Sequence, residues 1–340
     1  MARTLRNKYD EYLTYENLMK AHKLCRKNKT LKKDIIRFDL KQEDYIIYIY
    51  EKLKNQTYKH GGYTTFYIYE PKLRKIEKSS YMDRVVHRWL VDNFLIDLYV
   101  PTFINTSYAC IKNRGMIKAV LNVQKDMNTC KNKWNEYYIL KMDVQKYFQS
   151  INKDILFKIL QRKISDKKVL WLVKQIVYSN EGKTGIAIGN YTSQIFANVY
   201  LNEVDQYIKK ELKVKYYHRY MDDSIILVKT KQEAKEILSN IRIFLKEKLE
   251  LNLNSKTQIF KSKQGVNFCG YKINEYRLKI RARGKKKLKK KIKLLKQEIK
   301  DGKMNCYKAK QYLCGHYGYI KHANVYNLSS KLFYNNINFY

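Results

Sequence analysis

The sequence has few acidic residues, prolines and glycines, and each shortage excludes a class of protein. Only 31 Asp and Glu stand against 70 Lys and Arg in 340 residues, which gives a formal net charge of +39. With 2 Pro and 12 Gly the chain is neither collagen-like nor dominated by linkers. A hydrophobic content of 45% excludes an intrinsically disordered chain. We therefore expect a sizeable core beneath a strongly basic surface.

Long hydrophobic runs and paired cysteines are also missing. No apolar stretch approaches the length of a membrane span, and the N-terminal MARTLRNKYDEY lacks the apolar region of a signal peptide. The six cysteines include no CxxC motif, and Cys306, Cys314, His316 and His322 follow no spacing typical of structural zinc. We therefore expect a reducing, cytoplasmic compartment and no membrane partner.

The unbalanced positive charge predicts a polyanionic partner. Self-repulsion of so many cations destabilises a compact fold unless an anion shares the surface, and nucleic acid is the usual partner of such basic domains. AT-rich codon usage also favours Lys, Asn, Ile and Tyr, and it offers a second origin for part of the lysine surplus. It does not explain why Asp and Glu are less than half as numerous as Lys and Arg, so nucleic acid is the partner we expect first.

Hydrophobic periodicity predicts a mixture of helices and strands, followed by a change of character after Arg281. From residue 281 to 300 there are eleven Lys or Arg and one Glu, over an apolar stripe at Leu288, Ile292, Leu295 and Ile299. This pattern is typical of an amphipathic basic helix. We therefore expect one domain over residues 1–275 and a second, helical and basic one over 276–340. The other predicted elements are helices within 1–55, 81–99, 193–212 and 231–250 and after Asn152 and Asp166, and strands at 64–69, 74–76, 137–143, 214–220, 224–229, 257–261 and 266–273.

The scarce acids stand at the ends of predicted strands. Asp143 ends the apolar run YYILKMD, and Asp222 and Asp223 lie at the tip of a predicted β-hairpin. Carboxylates placed together repel each other unless a cation joins them. Mg²⁺ binds through one or two carboxylates and substrate phosphates, and a pair of such ions can clamp an in-line phosphoryl displacement. The acids therefore favour metal-assisted phosphoryl transfer.

Six blocks of the sequence, in chain order, resemble the motifs of reverse transcriptases. They are the finger motifs at 66–90, motif A in KMDVQKYFQSI (141–151), motif B in GIAIGNYTSQIFANVYLNEVD (185–205), motif C in YMDD (220–223), motif D in LNLNSKT (251–257) and the primer-grip motif E in VNFCGY (266–271). The resemblance implies an α+β right-hand polymerase, with fingers and an RRM-like palm sheet over 1–275 and a helical thumb over 276–340. It also implies RNA-directed DNA synthesis from a primer.

The resemblance assigns the catalytic groups residue by residue. Asp143, Asp222 and Asp223 would hold two Mg²⁺ ions, with Mn²⁺ as an alternative and with the Val144 carbonyl as a further ligand. Lys256 would protonate the pyrophosphate leaving group, although an ordinary turn lysine is equally compatible with so Lys-rich a chain. Of the two tip carboxylates, we expect Asp222 to be the more direct ligand, because adjacent strand residues point to opposite faces.

The same resemblance assigns contacts to the dNTP, the template RNA and the primer–cDNA duplex. Phe148 would exclude a ribose 2′-OH, or it is simply a core Phe. The finger cations would hold the triphosphate, or they are solvated charges. The residues assigned to the dNTP are Lys72, Arg74, Arg84, Phe148, Ile188, Gly189, Ser193 and Gln194. Those assigned to nucleic acid are Tyr220, Met221, Gly270, Tyr271, Lys286, Lys287, Lys290 and Lys293.

Two features resemble the enzymes of diversity-generating retroelements. Motif B carries Ile188 where many reverse transcriptases have Gln, and it continues through Ser193-Gln194; the block GHYGYIKHANVYNLSSKLF (315–333) is similar as well. This implies a bacterial or phage-encoded enzyme with a small basic accessory protein, and copying that is inaccurate at template adenines. Ile188 removes an amide and the discrimination built on its hydrogen bonds. A phage-defence or retron-like enzyme and an inactive RNA-binding scaffold stay as alternatives.

Overall fold

A computed structural model describes residues 4–69 and 73–330. The chain forms two compact units, each built from several stretches of sequence. Unit 1 contains residues up to 105, 143–213 and 239–255, and unit 2 contains 106–142, 214–238 and the chain from 256 onward. The predicted boundary between 275 and 276 therefore falls inside unit 2, which includes the basic C-terminal helices, and the two-domain division stays a prediction.

Unit 1 is mainly helical. Trp89 is fully buried, and its ring meets that of Tyr9 edge-on at 5.5 Å between centroids. The predicted helix caps are confirmed. The Asn152 side chain accepts hydrogen bonds from the backbone N–H groups of Asp154 and Ile155, and the Asp166 side chain accepts from those of Lys168 and Val169.

The helices are α1 Tyr9–Tyr12, α2 Tyr15–Arg26, α3 Lys33–Asp39, α4 Gln42–Lys54, α5 Tyr81–Leu90 and α6 Ile96–Tyr99, with a π turn between the last two. Beyond them in the chain come α7 Met116–Trp134 of unit 2, then α8 Tyr147–Ser150, α9 Lys153–Gln161, α10 Lys167–Val177 and α11 Tyr191–Gln206 of unit 1.

The predicted finger hairpin is confirmed in unit 1. Strands β1 (Tyr63–Ile68) and β2 (Arg74–Ser79) pair antiparallel, with Tyr63 opposite Ser79 and Ile68 opposite Arg74. Most side chains of β1 are exposed, whereas β2 becomes progressively buried and ends at Ser79. The hairpin is therefore anchored at its base, where β2 leads into α5.

A four-stranded sheet contains the acidic strand ends. Its order is β4 (Tyr216–Tyr220), β5 (Asp223–Val228), β3 (Tyr138–Asp143) and β6 (Gln258–Lys261). β4 pairs antiparallel with β5, and β3 pairs antiparallel with β6. In unit 2 the sheet packs on α7, burying Ile139, Ile225 and Leu227 against helix residues such as Val123. α12 (Lys231–Leu249) follows β5 and passes from unit 2 into unit 1.

The strand predicted at 266–273 is wrong as a single element. It is divided into β7 (Val266–Phe268) and β8 (Tyr271–Ile273), which pair antiparallel, and β9 (Leu278–Ile280) completes a three-stranded sheet. The reason is local: Cys269 and Gly270 both have positive φ, +46° and +85°, as a two-residue type I′ turn requires. The apolar run is therefore folded back on itself.

The predicted basic helix after Arg281 is confirmed, although the range 276–340, predicted to be helical, also contains strand β9. α13 (Ala282–Lys300) buries Leu288, Ile292 and Leu295 and leaves its lysines on the outer side. α14 (Cys306–Ile320) packs on it, and the short α15 (Tyr326–Ser329) follows. No helix among the described residues is both long enough and apolar enough to cross a membrane.

Candidate functional site

The β4–β5 turn presents Asp222 and Asp223 on a strained backbone. Tyr220 pairs with Asp223, so Met221 and Asp222 form a two-residue turn. Met221 has φ +56°, a conformation that costs a non-glycine residue free energy unless its surroundings fix it. The support is Arg219, only 1% exposed, whose guanidinium donates to the Met221 carbonyl at 3.0 Å. No local sequence pattern predicted a role for this buried arginine.

Lys141 neutralises one of the tip carboxylates. Its ammonium lies 2.9 and 3.0 Å from the two oxygens of Asp223 and also donates to the Asn267 carbonyl. Lys141 precedes Asp143 by two residues in β3, and such residues lie on the same face of a strand. Asp223 therefore faces the side of β3 on which Lys141 lies.

Asp143 is the last residue of β3 and is held from the motif D segment. Asn254 N–H donates to the Asp143 carbonyl at 2.7 Å, and the Asn254 side-chain amide donates to the carboxylate at 3.2 Å. The next residue, Val144, is buried and bridges Leu253. Asn254 was not predicted as a site residue, although it stands within the motif D block.

The donor set suits divalent magnesium without forming a complete cage. Across residues 4–69 and 73–330, no three side chains of His, Cys, Asp or Glu are gathered so that they could hold a metal ion. Carboxylates are nevertheless the ligands that Mg²⁺ prefers, and one or two suffice when substrate phosphates complete the shell. The ammonium against Asp223 shows that a positive charge is already accommodated there. Each of these carboxylates could therefore bind a divalent cation whose remaining ligands come from substrate.

The predicted nucleotide residues Phe148, Ile188 and Gly189 come together in unit 1. Ile186 N–H donates to the Phe148 carbonyl at 2.9 Å, and Glu77 N–H of β2 donates to the Ile188 carbonyl at 3.2 Å. Gly189 has φ +125°, which strongly favours glycine. The loop thus lies between the predicted sugar gate and the finger hairpin.

Asn190 fastens this loop to both strands of the hairpin. Its side-chain oxygen accepts from Ser79 Oγ at 2.8 Å and its amide donates to the Tyr63 hydroxyl at 3.1 Å, with Asn190 only 2% exposed. Asn190 was not predicted to have a role. Ser193 is buried and Gln194 half-buried in the first turn of α11, directly after the loop.

The three predicted finger cations have different environments. Lys72 lies outside the described residues. Arg74 begins β2 and is exposed. Arg84 pairs with Asp34 and lies over the Tyr81 ring at 4.9 Å from its centroid. Together with Lys78, it holds the pKa of the Asp34 carboxyl below its usual range against the opposing effect of burial. Arg84 therefore has an intramolecular partner, whereas Arg74 extends toward solvent.

Lys256 lines a cationic cavity of unit 2. The cavity, about 500 Å³, is lined by Lys141, Lys256, Gln258, Phe260, Gln264, Gly265, Asn267, Lys272 and Arg281. Four of these nine residues are cationic and none is acidic, so the cavity favours anions such as phosphate. This environment is compatible with the predicted role of Lys256 toward pyrophosphate.

The predicted nucleic-acid residues of unit 2 lie at turns and on an exposed helix face. Tyr220 and Met221 are half-buried at the β4–β5 turn, and Gly270 and the buried Tyr271 are at the β7–β8 turn. Burial raises the pKa of Tyr271 to about 12, so its hydroxyl stays protonated at neutral pH. Lys286, Lys287, Lys290 and Lys293 are all exposed on α13.

A comparison with protein families gives a match over most of the chain. The family model described as "Reverse transcriptase (RNA-dependent DNA polymerase)" matches residues 59–273. The match includes β1 to β8 and therefore Asp143, Asp222, Asp223, the Gly189 loop and the β7–β8 turn. The basic helices beyond Ile273 lie outside it.

Curated relatives are similar at low identity. Protein YkfC of Escherichia coli (strain K12) is 24% identical over 246 residues, covering 59% of this chain and 63% of its own length. The group II intron-encoded protein LtrA of Lactococcus lactis subsp. cremoris is 22% identical over 306 residues, covering 68% of this chain and 50% of its own. The chain thus spans less than two thirds of the length of either relative.

A solved structure supports the fold. Telomerase from Candida tropicalis, in complex with a fragment of telomeric RNA, matches with a TM-score of 0.50 and 15% identity. The match covers 69% of this chain and 49% of that one. The predicted mixed helix-and-sheet polymerase fold is therefore confirmed.

Proposed function

Because the chain belongs to the reverse transcriptase family, we propose that it copies template RNA into DNA, extending a primer 3′-hydroxyl with dNTPs and two Mg²⁺ ions. The observation that carries the proposal is the placement of scarce acids. Asp143 ends β3 and Asp223 begins β5, neighbouring strands of the sheet, in a chain with only 31 acidic residues. A polyanion-binding protein gains nothing from keeping carboxylates at such strand ends, since they repel phosphate.

The side chains divide the chemical tasks among them. Asp143, Asp222 and Asp223, with the Val144 carbonyl, would hold Mg²⁺, which lowers the pKa of the attacking hydroxyl and neutralises charge on the leaving oxygen when bound. Asn254 fixes the orientation of the Asp143 carboxylate. Arg219 fixes the turn that presents Asp222. Lys256, in the cationic cavity, would give a proton to the departing pyrophosphate.

The nucleotide would lie against the loop of unit 1. Phe148, tied to that loop through Ile186, would exclude a ribose 2′-OH by its bulk. Ile188 and Gly189 would line the base pair, with Ser193 and Gln194 one helical turn further on. Arg74 would bind the triphosphate, because Arg84 is already paired with Asp34.

The primer–cDNA duplex would lie against unit 2. Tyr220, Met221 and Gly270 would contact the primer end, and Tyr271, fully buried with its hydroxyl bonded to the Tyr319 carbonyl, would support the turn from beneath. The exposed α13 residues Lys286, Lys287, Lys290 and Lys293 would neutralise backbone phosphates without reading sequence. The proposed binding should therefore weaken steeply with added salt.

Primer extension tests the function. Purified full chain should extend a DNA primer on an RNA template with dNTPs, and the product should require both template and Mg²⁺. Chelating the metal with EDTA should stop extension, and added Mg²⁺ should restore it. Template-independent extension, or extension unaffected by the chelator, would contradict the proposal.

We further propose that the enzyme belongs to a diversity-generating retroelement of a bacterium or phage. Ile188, whose carbonyl is fixed by β2, supports this because its side chain offers no hydrogen bonds for base discrimination. The expected partners are a template-repeat RNA and a small basic accessory protein, in the cytoplasm. Sequencing cDNA from a defined RNA should show errors concentrated at template adenines. An error rate as low as that of an accurate retroviral enzyme would favour the phage-defence or retron-like alternative.

A further inference from the structure

The C-terminal block of unit 2 contacts the β7–β8 turn through one tyrosine. Tyr319, near the end of α14, donates its hydroxyl proton to the Gly270 carbonyl at 2.7 Å. In return, the Tyr271 hydroxyl donates to the Tyr319 carbonyl at 2.5 Å. The two rings lie 4.8 Å apart between centroids. Two reciprocal hydrogen bonds and a ring contact therefore join segments 49 residues apart in the chain.

The contact leaves no room for a side chain at position 270. A Cβ added to Gly270 would lie 2.5 Å from Tyr319 Oη and 3.3 Å from Tyr319 Cζ. The positive φ of the type I′ turn adds a second requirement for glycine, because φ is +85° there. Glycine at 270 is thus needed both for the turn and for the approach of Tyr319.

The surroundings fix Tyr319 from two sides. Its side chain packs against the core beneath the β7–β9 sheet and also against the core of α13 and α14. Beyond the helix, Asn324 exchanges two hydrogen bonds of 2.8 Å with the backbone of Leu278 in β9. The end of α14 is therefore attached to the three-stranded sheet at two separate points.

We propose that Tyr319 is a positioning residue, which holds the Cys269–Gly270–Tyr271 turn in the conformation that binds the primer end. The inference rests on the proposed function, since it takes this turn as a primer contact. Tyr319 acts through Gly270 and Tyr271 and does not touch the reacting atoms. Its loss should weaken primer–template binding while the nucleotide step stays intact.

The first test separates primer binding from chemistry. Tyr319→Phe removes only the hydroxyl, and we expect the KM for primer–template to rise about fivefold, the effect of one lost hydrogen bond. The dNTP KM and the kcat at saturating primer–template should stay within twofold. Tyr307→Phe, on the exposed side of the same helix at 69% exposure, is the matched control. An unchanged primer–template KM in Tyr319→Phe would overturn the inference.

The second test uses suppression and needs no catalysis. Gly270→Ala should weaken duplex binding in a fluorescence anisotropy assay, and adding Tyr319→Phe should restore part of it, because the closest clash is with the hydroxyl. Gly302→Ala is the control for φ alone, since Gly302 has φ +68° and no atom within 4 Å of its Cβ. If the double variant binds no better than Gly270→Ala, the inference fails.

Failure of the positioning role of Tyr319 and failure of the proposed polymerase function give different experimental results. If the wild-type chain extends no primer, the proposed polymerase function fails, whereas the anisotropy assay still reports on Tyr319 and Gly270. Thermal unfolding of each variant shows whether it is folded. Tyr271→Phe removes the reciprocal bond without altering Gly270 or the Tyr319 hydroxyl, and it should give the same rise in primer–template KM. A normal KM in that folded variant would contradict the positioning role.

Discussion

The turns at Gly189 and Gly270 meet the same requirement in different ways. Each glycine has positive φ and stands where we propose contact with substrate. The Gly189 turn is held within unit 1 by a backbone bond from Glu77 and by the buried Asn190. The Gly270 carbonyl, within unit 2, accepts a 2.7 Å bond from the Tyr319 hydroxyl and a longer 3.4 Å bond from Arg281 N–H, so its shortest support is a side chain. A glycine in a sequence motif therefore does not show whether a neighbouring backbone atom or a neighbouring side chain excludes a larger residue there.

This difference determines at which glycine the effect of a Gly→Ala substitution can be rescued by a second substitution. At Gly189 the nearest atom to an added Cβ is a backbone oxygen of Glu77 at 3.4 Å, which no substitution removes. At Gly270 it is a hydroxyl, which Tyr319→Phe deletes. Four predictions test this comparison. All of them concern the Gly189 turn, which buried polar groups hold in place.

The largest expected effect is at Lys153. This lysine is fully buried, and its ammonium donates to the carbonyls of Asn180, Glu181 and Gly182, which lead into the Gly189 loop. Lys153→Met leaves three carbonyls without their donor, so we expect chemical denaturation to give an unfolding free energy lower by about 3 kcal/mol. Lys158→Met, exposed on the same helix, should change it by less than about 0.5 kcal/mol. Equal effects would show that the ammonium does not hold the loop.

Gly189→Ala should cost about 2 kcal/mol of unfolding free energy, because φ +125° is nearly restricted to glycine. Gly62→Ala is the control in the same unit, with φ +77° and no atom within 4 Å of its Cβ, and should cost about 1 kcal/mol. Ile76→Ala, which removes the Cγ2 atom 3.5 Å from the added Cβ, should not rescue Gly189→Ala. Rescue would show that side-chain contact, as at Gly270, imposes this glycine.

Acid should weaken the support of the Gly189 turn through buried histidines. The Tyr63 ring packs at a tilt against His60, 4.6 Å between centroids, and His60 stacks on His87 at 5.3 Å. Burial, with repulsion from His60, lowers the pKa of His87 from 6.5 to about 3. Between these values the unfolded chain takes up a proton that the folded one does not, so the unfolding free energy falls as the pH falls.

The measurement is urea denaturation of wild type and His87→Leu at pH 7 and pH 5. The wild type should lose about 2 kcal/mol more than the variant over this range, since each pH unit below 6.5 costs about 1.4 kcal/mol. His22, whose pKa burial also lowers, stays in both proteins and cancels, whereas His60 stacks on His87, so the difference reports on that pair. Equal losses would mean that His87 titrates normally.

The smallest expected effect is the coupling between Ser79 and Asn190. Ser79→Ala and Asn190→Ala each break the buried 2.8 Å bond, and a double-mutant cycle should give a coupling energy of about 1 kcal/mol. The pair Tyr63→Phe and Asn190→Ala reports on the longer 3.1 Å bond and should couple more weakly. Zero coupling in both pairs would show that Asn190 does not hold this turn.

The local sequence predicted much of the fold because apolar period and caps are local properties. The hairpin of Asp222 and Asp223, the caps Asn152 and Asp166 and the stripe of α13 all follow from residues within a few positions of one another. The division of 266–273 was missed because Cys269 gives no turn signal. Among site residues, Arg219, Asn254 and Asn190 could not be predicted, since their roles depend on partners brought near by tertiary packing.

The most direct test of the central claim measures rate and binding together in Asp222→Asn, an isosteric change that removes one carboxylate charge. We expect RNA-templated incorporation to fall on the order of 10³-fold, while the Kd for template RNA changes by less than about twofold. Asp44→Asn, exposed on α4, should match wild type in both. An undiminished rate in Asp222→Asn would contradict the metal role of the strand-end acids, and loss of RNA binding would favour an inactive RNA-binding scaffold.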